Sequence, residues 1–425
     1  MTSGEICLLN DSFPPLIDGV VNVVVNYARY LPENGYPVSV VTPECPGSDD
    51  SPYPYDVIRY PSLDLRKSLG YTAGNPFSIP SQNSIVKRDI ALLHSHCPIM
   101  SNILARQIRQ RMNLPLVLTY HTKFDLDIAN AVRSRLVQES AIHALVESVS
   151  SCDELWVVSN GAGENIRSLG YEGDWVVMEN GVDLPRGRAA DETVETVTAD
   201  WDLPRDVPVF LFVGRLMWYK GIRLILEALA ALSSQDLDYR MVFVGDGMDA
   251  SGIKAYAKEL KITPKCLFVG PVRDREILRC WYTRADLMVF PSTFDTNGLV
   301  VREAAACGLP SVLVRGSCAA EGVKGGVNAL LVEEDVASLA VCLTRFLERR
   351  DELRRIGENA CSELYISWEN AVKKASERYG VVIDNFLSGK YPRRHDLTDS
   401  VFMLQASTLD TAQKIHDHLR LRRRH

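Results

Sequence analysis

Short apolar segments alternate with helical patterns along most of this chain, and that alternation restricts its fold more than any other feature. In the first half the strand-like segments are Ile6–Leu9, Val38–Val41, Ile90–His94, Leu116–Thr119, Leu155–Ser159 and Trp175–Met178. Helical patterns at Val20–Leu31, Ile99–Met112 and Ala129–Cys152 lie between them. The second half repeats the scheme, with strand-like Val209–Val213, Arg240–Val244, Leu267–Val269, Leu287–Phe290 and Ser311–Val314. Helical patterns at Gly221–Leu232, Ala250–Leu260, Asp274–Thr283 and Gly298–Cys307 separate these. Strands that alternate with helices predict α/β architecture. The pattern lapses near Asp183–Asp202, where Leu184–Asp191 is polar and carries Pro185 and Gly187, so this stretch reads as a linker. The expected organisation is a Rossmann-like, doubly wound domain over residues 1–185 and a second over 186–388, closed by a helix from Ser367-Trp368-Glu369 to about Leu387. A basic amphipathic extension follows over 389–425, with Val401, Leu404, Ala412, Ile415 and Leu419 on one side. Each doubly wound sheet carries a ligand crevice at the carboxyl ends of its strands, and two such domains are expected to face one cleft.

Composition narrows the function. The 425 residues suffice for two domains with substantial cores, and the net charge of −7 argues against a nucleic-acid binder. No apolar run approaches the roughly 20 residues needed to cross a bilayer, and the N-terminus lacks the basic and apolar regions of a signal peptide. Ten cysteines without a C-x-x-C pair point to reduced thiols in a cytosolic setting.

The most informative motif runs from Phe290 to Ala304. An apolar strand ends at Pro291, a loop brings Asp295, and Asn297-Gly298 opens a helix that carries Glu303. At about 1.5 Å per residue Glu303 lies roughly 8 Å along the axis from Gly298. Between the two acids sits a helix N-terminus whose N–H groups suit a phosphate. Acids that bind hydroxyls, flanking a phosphate site, fit a sugar, a diphosphate and a ribose, which together make a nucleotide sugar. Val213-Gly214-Arg215-Leu216 ends another strand, and Lys220-Gly221 follows just before a helix. Two cations there suit a diphosphate. Taken alone, the two read first as a solvated Arg and Lys in a loop; combined with Asp295 and Glu303, the diphosphate reading is favoured.

Other motifs are weaker. Val244-Gly245-Asp246-Gly247-Met248-Asp249-Ala250 matches G-x-G-x-x-A, but the next strand ends Val269-Gly270-Pro271-Val272 without the ribose acid of a dinucleotide site, so a tight turn is expected. Gly19 opens a helix after Phe13-Pro14-Pro15-Leu16 and would let backbone approach a phosphate or sugar. His121 ends a strand of the first half, where such folds place ligands. His94-Ser95-His96 resembles a metal pair without a third ligand, and Asp125-Leu126-Asp127 reads as a chance D-x-D match.

Together these residues resemble the retaining glycosyltransferases of family 4, which have the GT-B fold. The resemblance runs from the Gly19 loop to Trp368. Its specific part is Val213-Gly214-Arg215-Leu216 with Lys220-Gly221, Val244-Gly245-Asp246-Gly247, Phe268–Val272, Ala285-Asp286, Pro291-Ser292, and Asp295 to Glu303 followed by Gly308-Leu309-Pro310. Asn180-Gly181-Val182-Asp183 matches the family's entry to the linker. The resemblance implies that Arg215 and Lys220 hold the donor diphosphate and that Gly19 approaches it from the other domain. It implies Glu303 on the ribose hydroxyls, Asp295 on the sugar hydroxyls, backbone of Asn297, Gly298 and Leu299 on sugar and phosphate, Val272 beside the base, and His121 beside the transferred sugar. The family usually has Glu where this chain has Asp295, one methylene shorter. A UDP-linked donor, no metal and no other cofactor are expected.

For the acceptor, His121-Thr122-Lys123-Phe124-Asp125 and the helix after it resemble family members that glucosylate diacylglycerol. Arg66, Lys67, Lys87, Arg88, Arg106, Arg109, Arg111, Arg133 and Arg135 could then face an anionic membrane, with the tail as an interfacial helix. That reading expects a cytoplasmic enzyme, peripheral at the inner face of the membrane, moving glucose from UDP-glucose to a lipid. Acids in the tail, Asp399, Asp410 and Asp417, weigh against it. A soluble transferase acting on a sugar, other small molecule or polymer is the alternative, and a non-catalytic nucleotide-sugar binder a third.

Overall fold

The computed structural model of the chain describes residues 4–16, 18–64, 72–125, 128, 134–347, 349–391 and 398–408. Two compact units emerge, one comprising Met1–Glu179 with Trp368–His425 and the other Asn180–Ser367.

The first unit carries β1 (Glu5–Leu9), β2 (Val38–Pro43), β3 (Asp56–Tyr60), β4 (Ser62–Asp64), β5 (Thr72–Gly74), β6 (Ile90–Ser95), β7 (Leu116–Tyr120), β8 (Glu154–Val157) and β9 (Trp175–Val177). Seven of them form a parallel sheet in the order β3-β2-β1-β6-β7-β8-β9. Strands β4 and β5 pair antiparallel beside it. The second unit carries β10 (Val209–Val213), β11 (Arg240–Val244), β12 (Cys266–Gly270), β13 (Leu287–Phe290), β14 (Ser311–Val314) and β15 (Leu330–Val332). Their order is β12-β11-β10-β13-β14-β15, parallel throughout. In both sheets the winding reverses beside the first strand, between β1 and β6 and between β10 and β13. That reversal opens the crevice in which doubly wound sheets bind ligands.

Burial explains the strands. Every residue of β10, β13 and β14 is buried, as expected where helices cover both faces of a parallel sheet. Each such Val, Leu or Phe side chain contributes about 1.5–3 kcal/mol by leaving water. The covering helices show the matching stripe: Ile222–Ser234 buries Ile222, Ile225, Leu226, Leu229 and Leu232, the spacing of one helical face.

The division of the chain differs from the expected boundaries at 185/186 and 388/389. Helix Trp368–Leu387 belongs to the first unit rather than closing the second. Its buried stripe, with Ala371, Val372, Ala375, Tyr379, Val382 and Ile383, packs against the helix Gly19–Tyr30. Tyr27 and Trp368 meet edge to face at 6.5 Å between ring centroids, and Arg378 Nη2 pairs with Glu154 Oε2 at 2.5 Å.

The expected C-terminal extension falls partly outside the described residues, which exclude 392–397 and 409–425 and so Asp410, Ala412, Ile415, Asp417 and Leu419. Residues 398–408 are helical. Asp399 is 1 % exposed and accepts from Arg106 Nε at 2.5 Å, Arg109 Nη2 at 2.7 Å and Gln110 Nε2 at 2.9 Å. The Phe402 ring lies tilted against Phe77, with centroids 6.1 Å apart, and under the Arg106 guanidinium. Removing one partner of a buried ion group leaves uncompensated charge. Asp399→Ala is therefore expected to lower stability by about 3–5 kcal/mol in urea denaturation, whereas Leu404→Ala, on the exposed side of the same helix, changes it by less than about 0.5 kcal/mol.

Candidate functional site

In the second unit, β10 and β13 lie side by side at the reversal point and send out the two loops that carry chemistry. The β10 loop exposes Arg215, then makes a single 3-10 turn, Trp218–Lys220, that ends at Gly221. The β13 loop runs through Pro291 and Ser292 to Asp295. The loops touch at Gly221, whose φ is 75° and where a Cβ would stand 2.5 Å from the Pro291 carbonyl oxygen. Only glycine fits both the conformation and the space. Tyr219 and Phe294 add a ring contact at 4.3 Å.

This contact brings together two of the expected residues. Lys220 Nζ donates to Asp295 Oδ1 at 2.6 Å, and Ser292 Oγ donates to Asp295 Oδ2 at 2.5 Å. Lys220 is only 7 % exposed, and its ammonium sits 5.8 Å from the Phe290 ring centroid. A shielded ammonium needs a counter-charge, and here Asp295 supplies it.

The β13 loop then enters the helix Leu299–Ala306 through Gly298, which has no side-chain cap to offer the first N–H groups. Asn297 is 8 % exposed, and its Nδ2 is shielded without a hydrogen-bond partner. Glu303, also 8 % exposed, accepts from Arg275 Nη2 at 2.6 Å and from Tyr282 Oη at 2.8 Å. Burial, and then the Glu303 charge, push the Tyr282 hydroxyl well above its ordinary pKa, so it stays a donor. Arg275 Nη2 also lies 3.8 Å from Asp183 Oδ2. Val272 is half-buried on the loop after β12, packed against the core of this unit. The Gly245 motif is a tight turn: its φ is 139°, and a Cβ there would stand 2.0 Å from the Gly214 carbonyl oxygen.

Three residues of this site escape a reading of the sequence. Ser292 looks like any loop serine. Arg275 follows the helix cap Asp274, where a solvated cation is unremarkable. The usable signal is the spacing of Arg275 and Tyr282, seven residues and two turns apart on one helix face.

In the first unit Gly19 opens a helix capped by Asp18, whose Oδ1 accepts from Val21 N at 2.8 Å. A Cβ at Gly19 would meet nothing within 4 Å, so packing within the chain does not demand glycine there. His121 follows β7 and is 8 % exposed. Its Nε2 lies 3.1 Å from His96 Nδ1. His96 packs against His94 with centroids 4.0 Å apart. His94 in turn meets Tyr379 Oη at 2.5 Å and Thr119 Oγ1 at 2.7 Å. The first pair of histidines is thus part of a buried cluster, joined by ring packing and hydrogen bonds, that includes His121. Asp125 accepts from Asn165 Nδ2 at 3.3 Å, while Asp127 lies outside the described residues.

Part of the expected basic face is committed to contacts inside the first unit. Arg106 and Arg109 are buried on Asp399, Arg106 also pairs with Glu147, and Arg88 pairs with Glu5 and Asp56. Arg111 donates to Asn83 Oδ1 and Arg135 to Glu139 Oε1. Arg66, Lys67 and Arg133 lie outside the described residues. Arg106 and Arg109 thus serve as internal counter-charges to Asp399, whereas Lys87 and Arg135 are exposed. Among the described residues no helix is long and apolar enough to cross a membrane.

Residues 17–186 match the model of the family described as Glycosyltransferase Family 4, and residues 194–362 that of Glycosyl transferases group 1. The chain is 30% identical over 389 residues to the D-inositol 3-phosphate glycosyltransferase of Geodermatophilus obscurus, covering 85% of this chain and 84% of that protein. The chain belongs to glycosyltransferase family 4. Another relative, the alpha-monoglucosyldiacylglycerol synthase of Acholeplasma laidlawii, is 26% identical over 320 residues, which cover 73% of this chain and 80% of that one. Among solved structures, Anabaena HepE in complex with UDP and glucose superposes with a TM-score of 0.70 at 17% identity, covering 89% of this chain and 99% of that one. This family 4 protein therefore has the GT-B fold, with two Rossmann-like domains, and is a glycosyltransferase that draws its sugar from a nucleotide sugar.

The histidine group sets a pH dependence. Burial pushes His121 down to about 3 and holds His94 and His96 well below the ordinary value of 6.5. All three are neutral in the folded protein near pH 7 and gain protons on unfolding below about pH 6.5. Stability is full above that pH and falls as pH drops from there toward the folded values. The expected slope is on the order of 1 kcal/mol per pH unit per histidine. Urea denaturation of the wild type between pH 7 and pH 5 measures it, and His96→Phe is expected to flatten the slope.

Proposed function

We propose that this glycosyltransferase moves a hexose from a UDP-linked donor with retention of anomeric configuration and without a metal. The observation that carries this reading is the 2.6 Å pair of Lys220 with Asp295 at the reversal point of the second sheet. A diphosphate arriving there offers Lys220 a stronger counter-charge than one carboxylate. Lys220 turns to the phosphates with Arg215, and Asp295 is released to the hydroxyls of the sugar. Glu303, aimed by Arg275 and Tyr282, takes the ribose hydroxyls. Asn297 brings its unpaired amide, and the first N–H groups of Gly298 and Leu299 meet phosphate and sugar. Val272 flanks the base. For the first unit, the family resemblance assigns Gly19 to the phosphates and the neutral His121 to the transferred sugar.

In the reaction the bond between the anomeric carbon and the diphosphate oxygen breaks, and negative charge collects on the leaving phosphate. Lys220 and Arg215 stabilise that charge, the role otherwise filled by a metal ion. The acceptor hydroxyl attacks the same face of the sugar, and its proton passes to the departing phosphate oxygen.

For the acceptor we favour a small polar molecule, because Arg106 and Arg109, two of the arginines expected at a membrane surface, are buried on Asp399 and because the relative at 30% identity is named for inositol 3-phosphate. A diacylglycerol-type lipid, with the enzyme peripheral to the cytoplasmic face of a membrane, is the second reading, supported by the glucosyldiacylglycerol synthase relative. A panel of UDP- and GDP-sugars against inositol phosphates and diacylglycerol vesicles separates them. Turnover with vesicles alone would reverse the preference.

Lys220→Ala is expected to cut kcat by roughly 10²–10³-fold with an unchanged circular dichroism spectrum. Near-normal turnover in the folded variant would remove Lys220 from the site. Arg275→Ala leaves Glu303 without its orienting cation, and is expected to raise the donor KM by on the order of tenfold while kcat is nearly kept.

A further inference from the structure

The second unit holds a cleft that the donor site leaves unused. It encloses about 540 Å³, within the range that holds a small ligand. Its wall includes the chain leading into β13 and β14: Ala285 and Asp286 before one strand, Leu309 and Pro310 before the other. Lys220 and Asp295 lie beyond the opposite ends of β10 and β13. Four residues of β13, at about 3.3 Å each, separate the two ends by roughly 13 Å.

The cleft is cationic. Arg186, Arg188, Arg284, Arg350 and Arg354 line it, against the two acids Asp286 and Glu358. In a chain of net charge −7 this is a local reversal of sign. The guanidinium contacts are mostly with neutral groups. Arg284 Nη2 donates to the Leu203 carbonyl at 2.7 Å, Arg188 Nη2 donates to the Thr283 carbonyl, and Arg186 Nε donates to Cys361 Sγ at 3.4 Å. Asp286 spends Oδ2 on Val209 N at 2.9 Å, and its Oδ1 stands 3.8 Å from Arg350 Nε, beyond hydrogen-bonding reach. Arg350 Nη1 donates to the Arg205 carbonyl at 2.8 Å, while Nε and Nη2 are shielded from solvent and have no hydrogen-bond partner. Shielded, unpaired donors are costly. The crowding also registers on Arg284, whose pKa is held below its ordinary value by burial first and then, against the opposing charge of Asp286, by the Arg350 and Arg205 charges.

Convergent arginines with spare donors recognise phosphate oxygens, because the planar fork of guanidinium matches them two at a time. We propose that this cleft is a second anion site, which binds a small phosphorylated molecule carrying at least two negative charges, with the exposed Arg354 as its first contact and Arg350, once its guanidinium turns into the cleft, as its second. The site stands independently of the donor-site roles assigned above.

Inorganic pyrophosphate is the probe, titrated calorimetrically into the full chain at constant ionic strength. Saturable binding is expected in the wild type and in Lys220→Ala, with an affinity weakened at least tenfold in the double variant Arg350→Gln/Arg354→Gln. Arg354→Glu, a substitution at an exposed residue, tests the site without disturbing the core and is expected to weaken binding at least fivefold. Binding lost in Lys220→Ala but intact in the arginine variants would assign the pyrophosphate to the donor site and overturn the proposal. So would the absence of saturable binding in the wild type, or equal competition by sulfate at the same ionic strength.

Discussion

Parallel pairing of short, wholly apolar strands governs everything else in this protein. A strand buried on both faces must find its backbone partners in neighbouring strands and its side-chain cover in helices, so each return to the sheet needs a crossover helix. Once the winding starts at β10 and reverses at β13, the loops after these two strands diverge from neighbouring points. Lys220 and Asp295, 75 residues apart, meet for that reason. The close fit of Gly221 against Pro291 then fixes the spacing between the loops.

Much of this was legible in the sequence. The apolar runs at Val209–Val213, Leu287–Phe290 and Ser311–Val314 became β10, β13 and β14 because full burial leaves an unbroken hydrophobic signature. Strands β3 and β15 and the β4–β5 pair were not foreseen: β4, β5 and β15 have three residues each, and β3 breaks its apolar run with Asp56 and Arg59. The helix at Trp368 was found, but its unit was misjudged. An apolar stripe reports that a helix is covered and is silent about which sheet covers it. Likewise, Lys220 and Asp295 were each read as ligand groups, whereas their mutual pairing depends on geometry at a distance that no local pattern encodes. Two of the basic residues expected at a membrane face escaped for the same reason: Arg106 and Arg109 look solvated until Asp399 arrives from nearly 300 residues away.

A common device links these observations. Outside the arginine-lined cleft, three shielded charges carry their own counter-charges: Lys220 with Asp295, Glu303 with Arg275, Asp399 with two arginines. The pair at the donor loops also gives the shorter acid at position 295 a physical setting. Asp295 reaches both Lys220 Nζ and Ser292 Oγ from a loop that Ser292 itself helps to fold. A longer side chain there would have to bend back to keep both bonds.

The division of the chain has a consequence for how the protein is made. Residues 180–367 interrupt the first unit, and the interruption begins and ends with adjacent backbone, Val182 N donating to the Ile366 carbonyl at 3.0 Å. A ribosome completes this inserted unit before it delivers Trp368 and the residues beyond. The first unit therefore waits, with the flank of its helix Gly19–Tyr30 bare and His94 lacking the Tyr379 hydroxyl, until the later segment emerges. The part of the chain synthesised first is the part whose core closes last.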